Sequence, residues 1–379
     1  MWAVGFSVFV VTTTEMMPVG LLPKISGDLD VSVGTAGIAV TAFGLIAGLS
    51  APVATVLGSR MDRRTLLLMI LAVFTVGNSV AAVSQTYWLF IVSRIATGML
   101  HGLMWSIVAT IAIRLVAAKD GVKATSIAFS GISIALVLGV PFGSLLGNLS
   151  GWRSAFASLA VLSGVTLLVI RMLVPELPSQ SVLRVRDFGP LVRSRALLGA
   201  LLVTFVVVVG NYAAYTYISP FLSDSRGVSL SMIGPFLLVY GISGVFGNFL
   251  AGHVLSRSRS VSTVLGGLGL IVTTALALLL VLDVRVGVIV LLVVWGMAYS
   301  GIPVVLQTLV LRSGGENGQA AASIYVLVFN ASIAMGALVG GVAIDSRGPA
   351  APILVGAVFC AVSVLANVTI IRGTAADRN

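Results

Sequence analysis

Apolar residues run along this chain in stretches long enough to cross a bilayer, each closed by a short polar or charged turn. A run of about 20 apolar residues spans the ~30 Å hydrocarbon core as a helix. In lipid every backbone amide must be paired internally, which leaves helices or a closed barrel. The runs are continuous rather than alternating, and that excludes the barrel. The pattern predicts twelve helices, roughly 2–23, 34–57, 65–84, 87–115, 122–147, 152–174, 196–222, 231–254, 262–282, 286–312, 319–343 and 350–371. Most connections are short. The longest, "PELPSQSVLRVRDFGPLVRSR" at 175–195, is polar and proline-marked. It separates six helices in 1–174 from six in 196–371, and 372–379 forms a tail. The fold class is therefore an all-α membrane protein of twelve transmembrane helices.

Composition agrees with this reading. Of 379 residues, 58% are hydrophobic and 9% are charged, where a soluble chain carries roughly a quarter charged residues. The net charge of +10 invites a nucleic-acid reading, but its distribution argues for topology. With the N-terminus inside, the inner loops hold 16 of the 22 Lys and Arg residues. The outer loops hold Lys24, Arg153, Arg226, Arg285 and Arg347, and Arg94 alone lies within a span. The positive-inside rule then places both termini in the cytoplasm, and the inner charge favours anionic lipid heads. No nucleic-acid partner is expected. One cysteine, Cys360, excludes an internal disulfide, and with two histidines it cannot build an ordinary zinc cage. No metal and no cofactor are expected. The first run is too long for a cleaved signal peptide. It begins abruptly, without a short basic tail, which leaves a longer natural N-terminus open.

The halves repeat. Gly98, His101 and Arg114 of span four align with Gly296, Tyr299 and Arg312 of span ten. Gly139 and Gly143 of span five align with Gly336 and Gly340 of span eleven, at nearly the same offset. Gly58 and Arg63 align with Gly252 and Arg257. Six spans separate equivalent helices, so both halves keep one orientation. This is a parallel repeat about an axis along the membrane normal, an arrangement that encloses a site and rocks around it.

Several polar residues stand out against this apolar background. "VVTTTEMMPVGLLP" places Glu15 inside the first span. A charge at that depth costs several kcal/mol, unless it faces a cavity or a partner, or is protonated. Two readings follow. Glu15 is a structural group, paired or hydrogen-bonded to the threonine hydroxyls, or it is a carboxyl that loads and unloads a proton. Arg94 and His101 lie seven residues apart on one face of span four, and Trp105 joins that face. At about 1.5 Å per residue, Glu15 falls between Arg94 and His101 in depth. A shared proton between Glu15 and His101, which titrates near physiological pH, stands beside the plainer reading of a satisfied buried histidine. In the second half Asn211 and Tyr215 of span seven, Gln307 of span ten and Asn330 of span eleven are candidate solute contacts. Buried amides need a partner or a cavity, so interhelical hydrogen bonding is the alternative for each.

The loop "GSRMDRR", Gly58 to Arg64, packs four charges into seven residues. It is either a plain cytoplasmic turn, or a polar latch in which Asp62 caps a helix or meets an arginine across the halves. It resembles the G-x-x-x-D-R-x-x-R/K loop of the major facilitator superfamily. Gly58, Asp62 and Arg63 match; the final basic residue is displaced, with Arg64 the nearest substitute. The second-half copy is degenerate, with Ser256 in place of the acid. Arg94 and Gly98 resemble the family's span-four R-x-x-x-G pattern. "GVPFGSLLG" around Gly139, Pro141 and Gly143 resembles the span-five G-P-x-x-G-G motif of the antiporters, departing from it at Val140. Small-residue helix packing is the alternative there. "TTEMMPVGLL" is similar to the T-T-E-F-x-P-x-G-L-L opening of the sugar-efflux and arabinose-export-like branch, with Met16 where Phe is usual. The resemblance covers essentially the whole chain.

It implies a proton-coupled secondary transporter in a bacterial-type inner membrane, exporting a small neutral solute, a sugar or a sugar-like compound. Multidrug or chloramphenicol-type efflux is the runner-up, ahead of proton-coupled import. It assigns proton coupling to Glu15, His101 and Arg94, and gating to Gly58, Asp62, Arg63, Gly139, Pro141 and Gly143. The protein is expected to act as a monomer in contact with membrane lipid, with protons as the coupling ion. No catalytic cluster is found. No G-x-x-x-x-G-K-[ST] loop supports an ATP-driven pump.

Overall fold

The computed structural model describes residues 1–58, 60–117, 120–178, 191, 194–258, 260–282, 284–314 and 318–371. The tail 372–379 and most of the connector 175–195 lie outside the described residues. Among the described residues every regular element is helical. Eleven helical stretches are long and apolar enough to cross a membrane. A twelfth, Tyr87–Arg114, has 28 residues, about 42 Å at 1.5 Å per residue. The chain is an all-α membrane protein. It divides into two compact units, Met1–Arg184 and Val185–Asn379.

The first unit contains α1 (Trp2–Met16), α2 (Leu22–Asp28), α3 (Val33–Gly58), α4 (Arg63–Val83), α5 (Tyr87–Arg114), α6 (Gly121–Ile134), α7 (Val140–Ser150) and α8 (Trp152–Leu173). The second contains α9 (Arg195–Thr216), α10 (Ile218–Pro220), α11 (Leu230–Arg257), α12 (Val261–Val281), α13 (Arg285–Gly314), α14 (Gly318–Arg347) and α15 (Ala351–Ala366). Polar residues start several of these helices. Asp62, Thr86, Ser194 and Ser260 each accept a backbone N–H of the first turn of α4, α5, α9 and α12, which satisfies donors that lipid cannot.

Three spans expected to be continuous are broken, each near a proline. Pro18 has no N–H with which to close an α turn. The first span therefore stops at Met16, tightens into a 3₁₀ turn over Met17–Gly20, and restarts as α2. Span five carries a π turn over Ala135–Gly139 just before Pro141. Span seven passes from α9 through α10, which ends at Pro220, into a π turn over Phe221–Ser225.

The repeat read from the sequence is visible in the packing. In the first unit α3 packs on α5, α4 on α8 and α5, and α1 on α6. In the second α11 packs on α13, α12 on α15 and α13, and α9 on α14. Paired glycines set the approach distances. A Cβ on Gly98 would lie 2.8 Å from the Phe43 carbonyl oxygen, and one on Gly296 would lie 2.5 Å from that of Tyr240. Gly139 and Gly143 meet Thr13 and Met17 of the first span; Gly336 and Gly340 meet the backbone of the seventh at Val209 and Ala213. The turns into α8 and α15 also correspond, through Gly151 at φ 82 and Gly348 at φ 81. That left-handed region favours glycine.

At one end of the first unit a polar clasp joins α2, α7, α8 and the end of α4. The Asp28 carboxylate accepts from Trp152 Nε1 at 2.9 Å and from Arg153 Nη1. Arg153 Nε donates to the Ser84 carbonyl at 2.8 Å, and Lys24 Nζ donates to that of Gly147 at 2.7 Å. The Trp152 hydrogen bond, followed by those from Arg153, holds the Asp28 carboxyl below the usual carboxylate range.

Two outcomes follow from this packing. Gly98→Ala and Gly296→Ala should each lower stability by about 1–3 kcal/mol, because the new methyl meets fixed backbone. Gly252→Ala, inside α11 with nothing within 4 Å, should instead raise it by about 0.4–1 kcal/mol; thermal unfolding in detergent reads all three. The Asp28 contribution is present above the ordinary aspartate value, about 3.9, and is lost as pH falls through the lowered folded value. Asp28→Asn should therefore flatten the acid-side fall of Tm between about pH 5 and pH 3. An unchanged slope would remove Asp28 from that dependence.

Candidate functional site

Pro18 begins the construction of the site. The carbonyl of Thr14 would ordinarily receive the N–H of residue 18, which proline lacks. Arg94 supplies the missing donor. Its Nη1 donates to the Thr14 oxygen at 3.0 Å, and its Nη2 donates to the Glu15 oxygen at 3.2 Å. The guanidinium lies 4.5 Å from the centre of the Phe43 ring, a cation–π contact away from water. Arg94 and His101 are each 1% exposed, and Glu15 is 6% exposed. Helical depth put Arg94 beside Glu15; both of these hydrogen bonds go to backbone carbonyls rather than to the carboxylate.

The carboxylate turns to His101. Oε2 lies 3.4 Å from Nε2. The same Nε2 accepts from Trp105 Nε1 at 2.9 Å. An indole N–H only donates, so Nε2 is the lone-pair nitrogen and the ring hydrogen sits on Nδ1. Nδ1 has no hydrogen-bond partner. Phe43 packs edge-on against His101 at 5.0 Å, and Trp105 stacks on Phe129 at 6.2 Å. With a lone pair on Nε2, the 3.4 Å contact is attractive only when Glu15 carries a proton.

The threonine thread does not reach the carboxyl. Thr14 Oγ1 accepts from Asn78 Nδ2 at 3.0 Å, and Asn78 also approaches Ser163 Oγ at 3.5 Å. The Thr12 and Thr13 hydroxyls are buried without a hydrogen-bond partner. Asn78 and Phe43 were not singled out in the sequence. Their positions carry no local signal, because each matters only through the helix it packs against.

The span-five residues Gly139, Pro141 and Gly143 are buried and lie beside the helix that carries Glu15. The glycines act as packing surface for Thr13 and Met17. The loop residues sit apart from this cluster. Asp62 caps α4 through Thr65 N at 2.9 Å, and its other oxygen accepts from Leu177 N. Arg63 N returns a bond to the Leu177 oxygen at 2.9 Å, and its Nη1 donates to the Gly58 oxygen at 2.8 Å. Arg114 Nη1 donates to the Pro178 oxygen at 2.6 Å. The loop thus fastens the first residues of the connector to the ends of α4 and α5.

In the second unit Asn211, Tyr215 and Asn330 are buried, whereas Gln307 is exposed. Gln307 is eight residues beyond Tyr299, about 80° round the helix at 3.6 residues per turn, so it leaves the face that carries Trp295 and Tyr299. Trp295 Nε1 donates to Asn211 Oδ1 at 2.9 Å. Tyr215 stacks on Tyr240 at 4.9 Å, and Tyr240 meets Trp295 at 5.2 Å. Asn330 donates Nδ2 to the Val326 oxygen of its own helix at 2.9 Å. Tyr240 and Trp295 were missed, although Trp295 immediately precedes the aligned Gly296.

Arg94→Lys should lower stability by about 1–3 kcal/mol, since an ammonium cannot fork two carbonyls and leaves one buried acceptor unmet. Thermal unfolding of the purified protein reads this. A Tm equal to wild type would show that the fork is dispensable.

The comparisons with known proteins fit this architecture. The chain is 29% identical over 361 residues to a probable sugar efflux transporter of Mannheimia succiniciproducens, covering 95% of this chain and 91% of that protein. The crystal structure of the nucleoside transporter NupG superposes with a TM-score of 0.81 at 13% identity, covering 97% of this chain and 98% of that one. A bacterial homologue of the human lysosomal transporter Spinster, inward-facing and unoccupied, gives 0.74 at 15% identity, over 98% and 96% of the two chains. The human organic anion transporter MFSD10 gives 0.69 at 18%, over 97% of each chain. At these identities the structures speak for the fold. The family model described as Major Facilitator Superfamily matches residues 4–326, and the chain belongs to that superfamily of secondary transporters.

Proposed function

We propose that this transporter exports a small neutral, sugar-like solute in exchange for protons, from a bacterial-type inner membrane with both termini in the cytoplasm. One observation carries the proton part. The buried Glu15 carboxyl faces the same His101 nitrogen that receives the Trp105 indole. That nitrogen has one lone pair. With the proton on Glu15, Nε2 accepts from Trp105 and faces a neutral acid. With the proton on Nε2, His101 donates to the Glu15 carboxylate, and Trp105 loses its acceptor. Glu15 and His101 thus have two proton placements that differ in one neighbouring hydrogen bond. Arg94 steadies the backbone at Glu15 in both.

The direction and the solute class rest on other support. The similarity to a probable sugar efflux transporter and the resemblance of the span-five motif to antiporters favour export. Asn211, Asn330 and Tyr215 offer neutral polar contacts, Trp105 links solute to proton state, and Gln307 is left outside this set. Gating is assigned to Gly58, Asp62 and Arg63 of the connector clasp, and to Gly139, Pro141 and Gly143 beside the first span. Among the described residues, Glu15 is the buried acid, which favours an uncharged solute over a cation. The transporter works as a monomer among lipids, with the proton as its coupling ion.

The test uses purified protein in liposomes with a trapped pH dye. A gradient of an arabinose-like sugar, a thiogalactoside or chloramphenicol is imposed in turn. The expected result is proton movement opposite to the sugar or thiogalactoside, lost in Glu15→Gln. Movement with chloramphenicol alone would reassign the solute class. Co-directed movement would make the protein an importer. Flux surviving in Glu15→Gln would remove that residue from coupling.

A further inference from the structure

The second unit holds a buried amide whose orientation is dictated by one neighbour. Asn211 is 1% exposed and Trp295 is fully buried. Because the indole N–H can only donate, the Asn211 oxygen must be the atom that faces it. The amide nitrogen therefore points away from Trp295. That nitrogen is buried and has no hydrogen-bond partner. A second unpartnered donor belongs to the same aromatic cluster. Tyr299 stands one helical turn beyond Trp295 on the same face of α13, and its hydroxyl is also buried without a partner. Tyr212 joins Tyr299 at 6.3 Å and Tyr215 at 6.2 Å; Tyr215 joins Trp295 at 6.2 Å.

An unpaired donor in a low-dielectric site is unfavourable, because it forfeits its hydration with nothing in return. Asn330 avoids this at its own nitrogen by bonding the Val326 carbonyl. Asn211 is prevented from relaxing, because turning its amide would set N–H against N–H at Trp295. An acceptor brought in from outside would satisfy both orphan donors. No charged residue is among the buried groups of the second unit described here, so the site has no feature that would favour an ion.

We propose that Asn211 Nδ2 and the Tyr299 hydroxyl are the solute-binding donors of the second unit, and that Trp295 is the positioning residue that aims Asn211. The ligand class is a neutral compound that offers hydroxyl, ether or carbonyl oxygen as acceptors. This rests on the transport reading above and deepens it at a residue, Trp295, which touches Asn211 rather than the solute.

The experiment measures equilibrium binding without any gradient. Purified full-length protein is titrated calorimetrically with an arabinose-like sugar, a thiogalactoside and chloramphenicol, and Tm is recorded for each variant. Asn211→Asp keeps an oxygen acceptor for Trp295 and, titrated at alkaline pH where the carboxyl is ionised, removes the outward donor. Its Tm should fall, because a carboxylate is buried without a cation, while Kd rises at least about tenfold, the size of one lost hydrogen bond in a dry site. Trp295→Phe keeps the ring and frees the amide; Kd should rise about three- to tenfold. Tyr299→Phe should weaken binding similarly with little change in Tm. Wild-type affinity in Asn211→Asp would overturn the proposal. So would a Trp295→Phe protein with lowered Tm and unchanged Kd, which would mark the bond as purely structural. Failure of wild type to bind any of the three probes would also overturn it. The transport reading fails separately: weakened binding in Asn211→Asp together with absent proton movement in wild type keeps the donor assignment and removes the coupling.

Discussion

A missing hydrogen bond in the first span governs the charged site. Pro18 cannot donate to the Thr14 carbonyl, and no water in a bilayer core can do so instead. A buried guanidinium from α5 closes that gap and takes the next carbonyl as well. The fork pins the depth of α1 against α5. It also brings His101, two turns further along α5, level with the Glu15 carboxyl. Phe43 lies under the guanidinium and against the imidazole at once, so α3 is tied to the same point. Were Arg94 bonded to the carboxylate, Glu15 would be held as an anion. Bonded to the backbone, it leaves the carboxyl free to exchange its proton with a histidine.

The two units repeat their packing and differ in chemistry. Gly98 and Gly296 set the same close approach, of α5 to α3 and of α13 to α11. Gly143 meets Met17, and Gly340 meets Tyr217. By that correspondence Tyr215 stands where Glu15 stands, and Tyr299 stands where His101 stands. Leu292 occupies the place of Arg94. The two units share their glycines, and where the first carries Glu15, Arg94 and His101 the second carries two tyrosines and a leucine. Glycines are held by sterics, because backbone fills the space that a Cβ would need. The polar positions are held only by what they bind.

That distinction explains what could be read from the sequence. Spans, halves and the repeat rest on hydrophobic length and on glycine spacing, and both survive in one dimension. Helical depth placed Glu15 between Arg94 and His101, since rise per residue is constant. The partner atoms were less legible. The fork to the Thr14 and Glu15 carbonyls follows from a proline four residues after Thr14, a local cue that was passed over for the more obvious charge pair. Phe43, Asn78, Tyr240 and Trp295 required knowing which helices pack together. Gln307 was chosen for polarity, though its angular position takes it off the Trp295 face. Asp62 was open between a helix cap and a distant arginine; the structure gives it the cap and the Leu177 amide, a partner in an extended segment that no periodicity marks.

A neutral donor site cannot sense a proton by charge alone. Coulomb attraction to a carboxylate acts on any dipole nearby and gives no specificity. A proton step influences a solute only when it changes a contact the solute uses, because a ligand shifts an equilibrium by its differential affinity and by nothing else. In the first unit the bond that responds directly to the proton on Nε2 is the one from Trp105. Arg94 binds carbonyls, whose acceptor strength does not depend on that proton, and Asn78 binds a hydroxyl. Trp105 is half-buried and stacks on Phe129. On the proposed coupling its indole is held by His101 in one proton placement and released in the other. The large aromatic surface that travels with that N–H is therefore the part of the site best suited to carry proton state to a solute.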